Sequence, residues 1–251
     1  MIRKEKNGIE WLEYELFAPY TELLAAVILR HGGVSQGVYS SLNVGEGADI
    51  YSHVAENRRR LSEALNLGHL STCGQPHRDE IALVPDAPDE ELRRCDGLCT
   101  ITPNRSLLIK HADCQAAIFY DPHNRALASV HAGWRGQVRD IYRKTIAQME
   151  ERFKSDPAHL LVALSPSLGP EHAEFIHYRK EWPPLYWEFQ TTPNHFDLWN
   201  IAEMQLLQAG IKKKNIQIPR ICTYTNKEDF YSFRRDSITG RNATVASLLP
   251  I

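Results

Sequence analysis

QAAIFY (115–120), DPHN (121–124) and RALASV (125–130) follow one another without interruption. Two apolar, strand-forming runs flank a tetrapeptide of turn residues, which is the pattern of an antiparallel hairpin. A hairpin centred on that turn sets Cys114 directly across from His131. Opposed residues of an antiparallel pair hold their Cβ atoms roughly 4.5–5.5 Å apart, close enough for a thiolate and an imidazole to share one metal ion or one proton. The flanking residues are Ala112-Asp113-Cys114 on one side and His131-Ala132-Gly133-Trp134-Arg135-Gly136 on the other.

Upstream, Leu23–Leu29 suits a buried strand and leads into a loop, Arg30–Gly37, too rich in glycine for a helix. From His53 to Asn66, Val54, Leu61 and Leu65 fall at helical spacing, and Arg58 shares their stripe, so this inward cation needs a partner. Short strands are expected at Ile81–Val84, Gly97–Ile101 and Ser106–Lys110, with a Pro- and acid-rich loop at Pro85–Glu91. Downstream, Gly133–Gly136 reads as a turn opening one helix, with Val138, Ile141, Tyr142, Thr145, Ile146 and Met149 on one side. A strand at Leu160–Leu164, an irregular proline- and aromatic-rich wall at Ser165–Asn194, and a helix at Leu198–Gln208 stopped by Gly210 follow. Ile216–Thr223 and Phe230–Phe233 read as strands. Many strands without regular β-α-β alternation predict an α+β fold with mixed β-sheets and flanking helices, a single domain over residues 1–251.

Composition narrows the function. The chain has 251 residues, 43% of them apolar, which suffices for a large core, and its net charge of −2 contains no long same-sign block. That balance argues against a nucleic-acid binder and against attraction to a membrane surface. No apolar run reaches the length of a membrane span, and the basic start lacks a signal-peptide core, so a cytoplasmic location is expected. Five cysteines without paired spacing predict free thiols, with Cys95 and Cys99 as small buried side chains.

The chemistry of Cys114 and His131 suits a metal. A catalytic zinc site commonly takes three protein ligands and leaves a fourth position open. His77, in a polar loop feeding a strand that could join the hairpin's sheet, is the expected third ligand. His111 and His31 are the alternatives, His111 being disfavoured because three residues before Cys114 on an extended chain it points to the other face. Thiolate and imidazole donors fit zinc better than magnesium or calcium. Copper is disfavoured, since none of the eleven histidines forms a His-x-His pair. Asp113 reads as an orienter of the site or a turn acceptor.

Fixed cations supply a second theme. Arg135 lies in a glycine-flanked turn at a helix mouth, where free N–H groups favour an anion. Arg58 and Arg234 add planar forks suited to oxyanions, whereas Arg235 and Asp236 read as a local pair. Trp134, Tyr231 and Phe233 are aromatic enough to stack on a base.

These segments, together with Arg30–Ser35, Ser41-Leu42-Asn43-Val44-Gly45, Glu56-Asn57-Arg58-Arg59, Gln75-Pro76-His77, Phe233-Arg234-Arg235-Asp236, Cys222-Thr223 and Gly240-Arg241, resemble the YfiH-type laccase-domain family over nearly the whole chain. The resemblance implies a metal on His77, Cys114 and His131, and zinc as that metal. It also implies purine nucleoside phosphorylase and adenosine deaminase activities in a family whose members were first called polyphenol oxidases or laccases. Two departures stand out. Gln75-Pro76-His77-Arg78 replaces the usual Gln-Val-His-Gly, and the usual cysteines after Gly-Pro are absent from Ser165–His172.

The expected reaction is phosphorolysis of adenosine or inosine to free base and ribose 1-phosphate, with adenosine deamination and methylthioadenosine phosphorolysis as further activities. Arg58, Arg135 and Arg234 are the expected phosphate residues, and Asn43 a ligand of ribose or base. Two rivals use the same residues. One is a metal-free hydrolase or amidase acting on cell-wall precursors with Cys114 as nucleophile and His131 as base; the other is a noncatalytic nucleoside-binding module.

Overall fold

Along Ala126–Ala132 every residue is buried, and the two faces differ: Leu127 joins one apolar cluster, while Ala126, Ala128, Val130 and Ala132 join another. A strand buried on both faces must be covered on both. The computed structural model describes residues 1–47, 49–84, 91, 92 and 94–250, and it shows both covers. One face of the strand's sheet packs against a second sheet; the other packs against helices Ile141–Phe153 and Leu198–Gln208.

The larger sheet runs in spatial order Ile2–Lys6, Ile9–Glu13, Leu23–Ile28, Asn242–Leu248, Arg105–His111, His69–Cys73, Glu91–Leu92. The smaller runs Ile216–Gln217, Leu161–Leu164, Gln115–Asp121, Ala126–Ala132, Gly97–Thr100, Ile81–Leu83. Both are mixed: His69–Cys73 is parallel to Arg105–His111, and Ile81–Leu83 to Gly97–Thr100, whereas most other pairs are antiparallel. The α+β class with mixed sheets and flanking helices is therefore the observed one.

The hairpin forms, in a register two residues from the expected one. His131 pairs with Ala116, and Ala132 with Gln115. The cause lies in the turn. Asp121 ends the first strand, its Oδ1 accepts the N–H groups of His123 at 2.9 Å and Asn124 at 3.2 Å, and Arg125 takes φ 50°, so the reversal is centred one residue later. A shift of two residues preserves side-chain parity. Cys114 and His131 thus remain on the inter-sheet face, diagonal rather than opposed.

Other departures have local causes. The helix expected after Gly133 is two, Trp134–Val138 and Ile141–Phe153, interrupted where Asp140 adopts φ 59°. Gly133 caps the first, so Arg135 sits within a helical turn and not in a loop before it. Only Ile216–Gln217 of the Ile216–Thr223 run is a strand; Pro219 cannot donate to a ladder, and Arg220 has φ 54°. Phe230–Phe233 is irregular, because the Ser232 hydroxyl accepts the Arg235 N–H and starts the short helix Phe233–Asp236. The proline-rich wall is an aromatic cluster of Tyr178, Trp182, Tyr186 and Phe196, interspersed with short helical turns. Of the loop expected at Pro85–Glu91, residues 85–90 lie outside the described residues. All five cysteines are free thiols.

Candidate metal centre and its two cavities

The inter-sheet face ends in the site. Cys114 immediately precedes the strand Gln115–Asp121, and His131 is the penultimate residue of its neighbour Ala126–Ala132. His77 arrives on the loop that leaves the larger sheet at Cys73 and enters the smaller at Ile81. The ligand atoms of His77, Cys114 and His131 lie within 4.8 Å of one another, an arrangement that could hold a metal ion. The two imidazoles meet edge to face at 4.9 Å and 88°. Neither alternative histidine is in the group. His111 Nε2 is bonded to the Thr244 hydroxyl at 2.9 Å, and burial drives its pKa down to about 3; His31 pairs with Asp229 at 3.1 Å.

The donor set fits a metal. Two imidazole nitrogens and a thiolate are the borderline-soft ligands that suit zinc and related ions, and three of them leave coordination space open. Burial alone would raise the Cys114 thiol; the adjacent His131, with further help from His77, outweighs it and holds the group down at about 6. Conversely, burial would lower His131, but Cys114 and Asp96 bring it up to about 9. Gly133 completes the cradle, because a Cβ there would stand 3.0 Å from His77 Cδ2 and 3.2 Å from Cys114 Sγ.

Asp96 is the residue that the sequence did not reveal. It is fully buried, and Oδ1 accepts from His131 Nδ1 at 2.9 Å and from the His77 backbone N–H at 3.0 Å. Its Oδ2 accepts the Arg78 N–H at 2.7 Å. Burial opposes ionisation of this carboxyl, yet these donors keep its pKa below the ordinary value. A proton on His131 Nδ1 leaves Nε2 as the lone-pair donor. Asp96 precedes a strand in which Gly97 pairs with Val130, a register that places it beside His131; only that pairing could have exposed it.

Asp113 ties two segments together. Its Oδ1 accepts the Thr223 hydroxyl at 2.7 Å and its Oδ2 the Arg234 N–H at 2.6 Å, fastening the segment that carries Phe233 to the hairpin.

Two cavities meet at the centre, and His77, Ala112, Cys114 and Phe233 line both. One, of about 450 Å³, is bordered by Gly45, Glu46, Gln75, Lys110, His111 and Arg241. The other, of about 430 Å³, is bordered by Trp134, Arg135, Leu168, Phe175, Ile176 and Arg234. Polar and charged side chains predominate in the first lining; the second adds the aromatic and apolar faces of Trp134, Phe175, Ile176 and Leu168.

The remaining expected residues are spread unevenly around these spaces. Arg135 and Arg234 line the aromatic cavity. The Arg234 fork donates to the carbonyls of His172 at 2.7 Å and Glu174 at 3.2 Å, and Arg135 lies over the Trp134 ring at 4.3 Å. Arg58 reaches neither cavity: it donates to the Val44 carbonyl at 3.0 Å and pairs with Glu46 at 2.9 Å, which supplies the partner its inward position demanded. Asn43 also stands behind the wall. Its amide spends both donors on Gly45 O and Asp49 and accepts from the N–H groups of Gly45 and Arg241, so it shapes the cavity instead of facing it. Tyr231 is wholly buried with Arg30 at 4.4 Å over its ring and belongs to the core. Arg235 and Asp236 form the expected local pair. Among the described residues no helix is long and apolar enough to cross a membrane.

Comparison with known proteins agrees with this architecture. The family model described as "Multi-copper polyphenol oxidoreductase laccase" matches residues 24–249. A protein named purine nucleoside phosphorylase from Bacteroides thetaiotaomicron is 31% identical, the match covering 93% of each chain. Purine nucleoside phosphorylase YfiH of Escherichia coli is 30% identical over 88% of this chain and 91% of its own. The crystal structure of YlmD from Geobacillus stearothermophilus superposes with a TM-score of 0.89 at 28% identity, covering 98% of both chains. With nearly its full length matched by the family model and by these relatives, and its fold in common with YlmD, the chain belongs to the multi-copper polyphenol oxidoreductase laccase family, in its YfiH/YlmD branch.

Proposed function

We propose that this protein is a zinc-dependent purine nucleoside phosphorylase that acts on adenosine and inosine, releasing free base and ribose 1-phosphate. The observation that carries the reading is the convergence of His77, Cys114 and His131 on the wall between two cavities, which gives two reactants access to one reactive centre from different sides. Relatives named purine nucleoside phosphorylase support it.

Zinc held by these three residues would supply Lewis acidity at the reacting bond or a water of lowered pKa, the latter serving adenosine deamination. The protein's own contribution is positional. Asp96 fixes the protonated nitrogen of His131 and the backbone of His77, and Asp113 fixes the loop bearing Phe233. Holding both reactants in one geometry lowers the entropic part of the barrier. Methylthioadenosine, which differs from adenosine at the 5′ position, is a third expected substrate.

The test is direct. Metal-loaded protein is incubated with adenosine or inosine, with and without phosphate, and the products are separated by chromatography. Ribose 1-phosphate that forms only with phosphate supports the reading; its absence under all conditions refutes it. A thiol hydrolase has one observation in its favour, the Cys114 thiol held near 6 beside His131. Full activity in protein stripped of metal and abolished by alkylation of Cys114 would select that alternative.

A further inference from the structure

Building on the phosphorolysis reading, we propose that inorganic phosphate binds in the polar cavity on Arg241, and that the purine base occupies the aromatic cavity. This assignment moves the phosphate site away from all three arginines expected from the sequence.

The case begins with what each cation is already doing. Arg58 neutralises Glu46, the one carboxylate bordering the polar cavity among the described residues. Arg234 has two of its fork nitrogens on backbone carbonyls. Arg135 faces a cavity that also carries Glu174 and Glu181, two carboxylates that oppose a dianion. Arg241 differs. Its Nη1 is anchored on the carbonyls of Thr239 at 2.9 Å and Gly240 at 3.0 Å, and its Nε and Nη2 have no protein partner among the described residues. It borders the polar cavity beside Glu46, a carboxylate already paired with Arg58.

The cavity is built around Arg241. A Cβ on Gly45 would lie 2.4 Å from Arg241 Cγ, so only glycine lets the side chain lie against that loop. Asn43 Oδ1 accepts the N–H groups of both Gly45, at 2.9 Å, and Arg241, at 2.8 Å, joining the two by one amide. On the other side Gly240 lies against the Tyr231 ring, where a Cβ would stand 2.7 Å from Cζ. These contacts fix the direction of a planar fork, the geometry that oxyanion recognition uses. Asn43 is thus a positioning residue for Arg241.

The other cavity suits the base. Trp134, Phe175 and Phe233 supply aromatic faces, and Glu174, His177 and Glu181 supply polar groups for a heterocycle's edge. The ribose then spans His77 and Cys114, which border both spaces. In the reaction a phosphate oxygen forms a bond to C1′ as the C1′–N9 bond breaks; the electron pair leaves with the base, which takes up the proton brought by hydrogen phosphate.

The experiment titrates metal-loaded protein calorimetrically with inorganic phosphate alone, then measures initial rates with inosine. In Arg241→Met, which keeps the stem packed on Gly45, phosphate affinity is expected to fall roughly tenfold to a hundredfold, as for loss of hydrogen bonds to a charged group. The KM for phosphate should rise in step while that for inosine stays near the parent value. Arg241→Lys should recover part of the loss. Arg135→Met should leave phosphate affinity intact and raise the KM for inosine. The proposal is overturned if phosphate does not bind the parent protein, if Arg241→Met binds it unchanged, or if the loss appears in Arg135→Met instead. Phosphate binding that depends on Arg241 without any ribose 1-phosphate would sink the phosphorylase reading and leave the anion site standing.

Discussion

Asp96 and His131 are joined twice: the His131 backbone N–H donates to the Asp96 carbonyl at 2.6 Å, and its Nδ1 donates to the Asp96 carboxylate at 2.9 Å. The same carboxylate holds the backbone of His77 and Arg78, so one buried acid sets two of the three expected metal ligands. Asp96→Asn keeps the shape but turns an N–H group toward a donor, His131 or Arg78 depending on how the amide settles. Zinc affinity, read by competition with a chromophoric chelator, is expected to drop about tenfold to a hundredfold, as for other residues that orient metal ligands. An unchanged affinity in a folded variant would remove Asp96 from the site.

Removing a ligand should have a larger effect. Cys114→Ala and His77→Ala are each expected to lose stoichiometric zinc after dialysis, measured by atomic emission. Thiol labelling gives a second readout: with zinc stripped, Cys114 should react with iodoacetamide, and added zinc should protect it. Cys73 and Cys99, both fully buried, provide the slow internal reference.

Gly133→Ala tests the space around the ligands. The backbone there has φ −69°, which alanine adopts without strain, so folding should survive. Its methyl would stand 3.0 Å from His77 and 3.2 Å from Cys114 and must push one of them aside. Weaker zinc binding with an unaltered thermal transition of the metal-free protein is the expected result; unaltered zinc binding would mean the cradle is loose.

The turn of the hairpin supplies a pH prediction. Burial would raise the Asp121 carboxyl, but donors from Asn124 and His123 hold its pKa below the ordinary value. A depressed folded pKa means that its stabilisation is complete above the unfolded value of about 3.9 and is lost as pH falls through the folded one. Asp121→Ala should cost about 1–3 kcal/mol at neutral pH. The gap from the parent, measured by urea denaturation, should narrow below about pH 4. A gap constant down to pH 3 would contradict the role given to this carboxylate.

What was legible in the sequence follows from the range of the forces involved. The hairpin, the Leu198–Gln208 helix and the grouping of His77 with Cys114 and His131 rest on periodicity, or on scarce residue types whose chemistry declares itself. The N-terminal hairpin Ile2–Lys6 with Ile9–Glu13 carries little signal beyond its Asn7-Gly8 turn, because Arg3-Lys4-Glu5-Lys6 lies on an exposed edge and shows no apolar alternation. Asn242–Leu248, central to the larger sheet, is made of small residues that carry little strand signal. The arginines were the least readable. A guanidinium on a carbonyl and one free to receive an anion have the same letter, and only the tertiary partners of Arg58, Arg234 and Arg241 separate them.

A reactive wall with a chamber on either face also constrains the order of events. Neither reactant of a two-substrate reaction has to pass through the other's chamber, and neither, once seated, bars the other's approach. Steady-state turnover is therefore expected to follow a random sequential scheme, with intersecting double-reciprocal lines and no compulsory first partner, as a kinetic signature of where Cys114 and His77 stand.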